Sequence, residues 1–134
     1  MTANIIYKGT LRCEAKHLQS GSVIETDAPT DNRGNGERFS PTDLLCVSLS
    51  TCIVTTMGIK ASDMKIDLTG TAVEVTKHML PEPRRVAKIE VILNFPSTLD
   101  LDEKDKTILE RVGNNCPVTK SLHPDMEVVI TYNW

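Results

Sequence analysis

The amino-acid sequence predicts an α+β protein in which antiparallel sheets pack on a long central buried helix. Three observations carry this. Apolar residues recur with period two near both ends of the chain, as half-buried strands require. Between them lies LLCVSLSTCIVTTMGIK, Leu44 to Lys60, a proline-free stretch whose polar residues are nearly all Ser and Thr. The order hairpin, long helix, hairpin, helix, strand then places sheet against helix.

From Asn4 to Ala15 the residues alternate, with Ile5, Tyr7, Gly9, Leu11 and Cys13 on one face, which predicts one strand. Gln19-Ser20-Gly21 reads as a turn and Ser22 to Asp27 as the returning strand. Ala28 to Phe39 is a Pro-, Gly- and Asp-rich loop at the length where a site is often completed. Ser40-Pro41-Thr42-Asp43 starts a helix: Ser40 caps, Pro41 takes the first position and Asp43 closes a capping box. That helix is apolar almost all round, so most of its sides should be covered. Met64 to Met79 and Arg85 to Phe95 predict a second hairpin about Pro81-Glu82-Pro83. In its second strand Ala87, Ile89, Val91, Leu93 and Phe95 share a face. Asp100 as cap and Glu103 open a second helix, which Gly113 ends. Pro117 starts a short helical turn to about Leu122, and Met126 to Trp134 forms a last strand.

A length of 134 residues suits one domain, residues 1–134, which needs neither metal nor disulfide for its core. A net charge of −3, with no basic run beyond Arg84-Arg85, argues against nucleic acid. No uninterrupted apolar stretch reaches the roughly 18 residues of a membrane span. Met1-Thr2-Ala3-Asn4 lacks the charged and apolar regions of a signal peptide. The expectation is a soluble, cytoplasmic protein without membrane association. In that compartment Cys13, Cys46, Cys52 and Cys116 stay reduced unless they react.

No C-x-x-C occurs, and His17, His78 and His123 have no metal-ligand spacing, so neither metal nor cofactor is expected. Cys13 and Cys46 read as core thiols. Cys52, in line with Leu45 and Leu49 on the helix, reads either as a small core hydrophobe or as a reactive thiol. Cys116, in Asn-Asn-Cys-Pro, sits where a helical turn begins, and free backbone N–H groups there stabilise a thiolate. A merely buried role is its alternative.

Phe39-Ser-Pro-Thr-Asp-Leu-Leu, Cys52 placed 11 residues after Pro41, and Asn-Cys116-Pro-Val together resemble the OsmC/Ohr family. These are osmotically inducible protein C and the organic hydroperoxide resistance proteins, and the OsmC-like branch is the nearer one. The resemblance spans essentially the whole chain. It implies the OsmC-like fold, an intertwined homodimer, and a thiol peroxidase acting on hydroperoxides. By the same resemblance Cys52 is the peroxidatic cysteine, Cys116 resolves its sulfenic acid, and an external thiol, lipoyl in some relatives, reduces the disulfide. The family also holds an arginine by an acid near the thiolate. Arg33 best matches that arginine, with Arg12 and Arg38 as fallbacks. The family's Glu after the helix-start Pro is Thr42 here, leaving Asp43 as the nearest acid, with helix capping as its other role. That departure makes a second reading possible: an OsmC-fold stress-related binding protein or slow redox sensor without efficient peroxidase activity.

Overall fold

The computed structural model describes residues 1–134 and is α+β, as the sequence predicts. Its contacts divide the chain into two compact units, Met1–Leu45 and Cys46–Trp134, with the long helix running through the boundary.

The first unit holds a three-stranded antiparallel meander of β1 (Ala3–Gly9), β2 (Arg12–His17) and β3 (Val23–Asp27). The single strand expected from Asn4 to Ala15 is thus two strands. The chain reverses at Gly9, Thr10 and Leu11, whose φ values are +84°, +50° and +62°. Glycine adopts that left-handed region without strain, and an isolated glycine within an alternating run is the usual sign of such a break. Nor is β1 half-buried: Ile5, Ile6 and Tyr7 are exposed in the single chain, and Cys13 is only half-buried. Between β3 and the long helix the loop is tied down at its root. Arg12 clamps buried Asp27 through two bonds of 2.7 and 2.8 Å and reaches Glu37 at 2.7 Å.

Helix α1 (Pro41–Asp63) begins with the capping box predicted for it. The Ser40 N–H donates to Asp43 Oδ2 at 2.8 Å, and the Asp43 N–H donates back to Ser40 Oγ at 3.1 Å. From Cys46 onward α1 buries one stripe, Cys46, Leu49, Ser50, Ile53, Met57 and Ala61. Its opposite stripe, Ser48, Thr51, Thr55 and Ile59, is open in the single chain, so the helix is covered on fewer sides than its composition suggested. Spread over 23 residues, α1 is also long and apolar enough to cross a membrane by length and composition. The expectation from uninterrupted runs missed this because Ser and Thr punctuate the helix. Its buried stripe makes it a core helix.

The second unit's sheet orders β4 (Ala72–Pro81), β5 (Arg84–Asn94) and β6 (Glu127–Asn133), with β5 central. The β4–β5 pair is antiparallel and β5–β6 parallel, so this sheet is mixed rather than wholly antiparallel. The strand β4 starts at Ala72, because Asp67 accepts from the Thr69 N–H at 2.9 Å and Gly70 turns at φ +92°. A bulge next to His78 leaves Ala87 without a partner and shifts the phase of β5. Val86 therefore takes the buried face that alternation assigned to Ala87, while Ile89, Val91, Leu93 and Phe95 keep it. Each such apolar side chain contributes about 1.5–3 kcal/mol of burial.

Helix α2 (Glu103–Gly113) is capped by Asp102, whose carboxylate accepts from the Asp105 N–H at 2.8 Å, two residues beyond the cap predicted at Asp100. Leu109 is its fully buried anchor. Gly113 is buried against α1 and β6: a Cβ there would lie 2.9 Å from both Met57 Sδ and the Tyr132 hydroxyl. The end of β6 is pinned to α2. Trp134 donates to Glu110 Oε1 at 2.7 Å and stacks on Phe95 with centroids 3.7 Å apart.

Candidate active site

Two segments of the second unit converge on a pair of thiols. Cys52, half-buried, comes from the middle of α1. Cys116 comes from the bend between α2 and the short helix α3 (Pro117–Ser121) and is fully buried, at 0% exposure. The bend is set from both sides. Gly113 lets α2 approach Met57 and Tyr132 closely, and the Cys116 N–H donates to the Gly113 carbonyl at 3.3 Å. Pro117 at the first helical position then fixes the direction of α3.

As the sequence predicts, Cys116 caps that turn: the Thr119 N–H donates to its sulfur at 3.4 Å. The Thr119 hydroxyl lies 3.2 Å from the same atom. Cys52 faces the same turn. Burial pushes its thiol up, but hydrogen bonds from the Val118 N–H, the Cys116 thiol and the Thr56 hydroxyl outweigh this. The net result lies below the ordinary cysteine value. The Thr56 Oγ1 is 3.8 Å from Cys52 Sγ, one helical turn along α1. Tyr132 is pushed by burial and by Glu110 up to about 12, so its hydroxyl stays protonated and donates to Asn114 Oδ1 at 3.0 Å.

The structure therefore brings Cys116 near enough to Cys52 to help lower its pKa, with both thiols free. A thiolate on Cys52 is favoured without a carboxylate or cation in its immediate shell, by donors alone. Sequence reasoning missed Thr56, Val118 and Thr119. The two threonines had a signal in their spacing, four residues after one cysteine and three after the other. Val118 acts through its backbone and had none. Of the apolar residues near Cys52 on α1, Leu49, Ile53 and Met57 are fully buried in the core, while Val47 and Val54 are half-buried.

The remaining candidates lie in the first unit. Asp43 closes the helix cap. Arg33 is exposed at φ +65°, after a short helical turn, and has no acidic partner. The arginine that acids hold most firmly is Arg12. Its bonds with Asp27 and Glu37 raise its pKa, and the Asp27 carboxyl is held below its usual range by the same contact. Arg38 donates to Glu25 at 2.9 Å.

One consequence is measurable. Alkylation of Cys52 by iodoacetamide, followed by peptide mapping across pH, should show a midpoint below the ordinary cysteine value near 8.5. Because the shift is downward, reactivity at neutral pH exceeds that of a free thiol. Thr56→Val should move the midpoint upward. A midpoint at or above the free-thiol value would show that burial, not the donors, governs this thiol.

Comparison with known proteins defines the class to which this paired-thiol α+β architecture belongs. The OsmC-like protein family matches residues 34–131, and the chain belongs to the OsmC family. An osmotic stress induced and detoxification response protein from Psychrobacter arcticus 273-4 is 48% identical. The match covers 98% of this chain and 95% of that one, with a TM-score of 0.94. An organic hydroperoxide resistance protein OsmC from Legionella pneumophila shares the fold at 15% identity. There 100% of this chain and 98% of that one are covered, with a TM-score of 0.74. An OsmC-like protein of unknown function from Vibrio cholerae shares it at 14% identity, 97% and 96% coverage and a TM-score of 0.80. Among curated proteins nothing matches the chain.

Proposed function

We propose that this protein is a stress-related thiol peroxidase that reduces organic hydroperoxides as a cytoplasmic homodimer. The observation that carries the reading is the convergence of half-buried Cys52 on fully buried Cys116, which caps α3. Family membership and the hydroperoxide resistance named in fold relatives support it.

In the proposed cycle the Cys52 thiolate attacks the O–O bond of ROOH. Sulfur gains one oxygen as the sulfenic acid, and RO⁻ leaves and takes a proton to become ROH. The Cys116 thiol then attacks that sulfur, and water leaves as the disulfide forms. An external dithiol returns both cysteines to thiols and is itself oxidised to a disulfide. Thr119, with two donors on Cys116, stabilises its thiolate as it attacks and again as it leaves. The homodimer is supported by Ile5, Ile6, Tyr7, Val23, Ile24 and Ile59, large apolar side chains that the single chain leaves exposed.

The test is intact mass and peptide mapping of reduced protein after one equivalent of cumene hydroperoxide. The expected product is a loss of about 2 Da, mapped to a Cys52–Cys116 disulfide within seconds. Thiols that stay reduced for minutes would instead support the binding-protein reading, for which Thr42 in place of the family's Glu is the motivating residue.

A further inference from the structure

The last turn of α2, which leads into Cys116, is held by an element the proposed cycle does not use, the C-terminal end of β6. Tyr132 and Trp134, two residues apart on that end, share a face, with ring centroids 6.5 Å apart. Both reach α2. The Tyr132 hydroxyl donates to Asn114 Oδ1 at 3.0 Å and lies 3.4 Å from the Glu110 carbonyl oxygen. Trp134 donates to the Glu110 carboxylate at 2.7 Å, and buried Phe95 stacks behind it at 3.7 Å.

From that turn to the thiol every residue is bonded. Asn114, the C-cap of α2, donates its N–H to the Glu110 carbonyl at 2.9 Å. The Asn115 N–H donates to the Val112 carbonyl at 3.1 Å, and its side chain to the Arg111 carbonyl at 2.8 Å. The Cys116 N–H donates to the carbonyl of Gly113, the residue against which the Tyr132 hydroxyl packs. Burial, Glu110 and Cys116 together push the Tyr132 phenol up to about 12, so it stays a donor within electrostatic reach of the Cys116 sulfur.

Placement matters here because two reactions compete for an oxidised Cys52. Cys116, at 0% exposure, has only the direction its backbone gives it, whereas peroxide reaches half-buried Cys52 from solvent. Attack between two held groups is fast only when they are aligned.

We propose that the Tyr132 hydroxyl is a positioning group for Cys116: by holding Asn114 it keeps the resolving thiol aligned on Cys52, and so sets whether the Cys52 sulfenic acid ends as a disulfide or as a sulfinic acid. This rests on the peroxidase reading and adds a control on its second step. In the first outcome the Cys116 sulfur bonds to the Cys52 sulfur and water leaves. In the second, another ROOH gives one oxygen to the Cys52 sulfur and departs as ROH. Only the first depends on where Cys116 lies.

The experiment follows full-length Tyr132→Phe protein by rapid quenching and intact mass under rising doses of cumene hydroperoxide. The first oxidation of Cys52 should keep the parent rate, since Tyr132 is not among the donors on that sulfur. Disulfide formation should slow about fivefold, the factor carried by one neutral hydrogen bond. The dose that converts half the protein to sulfinic acid, a gain of about 32 Da, should fall by a similar factor. Asn114→Ala removes the same bond from its other end, so the double variant should behave like either single one. Equal slowing of both steps, or a sulfinic dose unchanged from the parent, would overturn the inference. Oxidised glutathione separates this claim from the peroxidase reading. It forms a mixed disulfide on Cys52 as one glutathione thiolate leaves, and Cys116 then displaces the second glutathione. A mixed disulfide that lasts about fivefold longer in Tyr132→Phe upholds the positioning role even if hydroperoxide turnover fails. Equal lifetimes remove the role and leave the peroxidase reading to its own test.

Discussion

Cys52→Ser protein should lose hydroperoxide turnover by a factor on the order of 10³ or more, the loss expected when a nucleophile that carries the covalent step is removed. A serine hydroxyl at the same point is not ionised at neutral pH, and the Val118 and Thr56 donors cannot make it so. Cys116→Ser should behave differently. Cys52 is the half-buried thiol and still meets peroxide, whereas the 0% exposed Cys116 sulfur meets only the product formed on Cys52. The variant should therefore consume one equivalent of hydroperoxide and stop with a sulfenic acid, trapped by dimedone on Cys52. Cys13→Ser, in the first unit, should turn over as the parent does. Turnover surviving in Cys52→Ser would transfer the peroxidatic role to another thiol and refute the assignment from burial.

What the sequence revealed and what it hid divide along physical lines. The start of α1 was legible because Ser40, Pro41 and Asp43 each satisfy a local requirement of a helix N-terminus, independent of the rest of the chain. The cap at Cys116 was legible for the same reason, through Pro117 and the residues after it. Local rules failed where two positions satisfied them equally, as with Asp100 and Asp102. Alternation identified β5 but could not reveal the bulge next to His78 that moves Val86 inward. Nor does alternation carry strand direction, so the parallel pairing of β5 with β6 had no sequence signal. The convergence of Cys52 and Cys116, 64 positions apart (116 minus 52), follows from the packing of α2 and α3 and was available only through family resemblance. A cavity beside Thr56 had no sequence signal, because its lining comes from separate segments, α1, α2 and α3.

The largest expected loss of stability separates the two faces of α1. Leu49 is 0% exposed and Ile59 is 70% exposed, on one helix within the same unit. Leu49→Ala removes packed methyl groups from the centre of the unit and should lower the unfolding free energy by about 2–5 kcal/mol, measured by urea denaturation. The site should loosen with it, because Leu49 lies one turn before Cys52. Ile59→Ala removes similar apolar surface, but from a face the single chain leaves open. Within one chain its effect should stay within about 0.5 kcal/mol. In a dimer that covers Ile59, the same substitution should instead lower the unfolding midpoint at a fixed protein concentration, a loss that raising the concentration recovers, since subunit binding adds to the stability of the folded state. A large, concentration-independent loss from Ile59→Ala would mean that the open face of α1 is covered within the chain in solution, and would remove one support for the dimer.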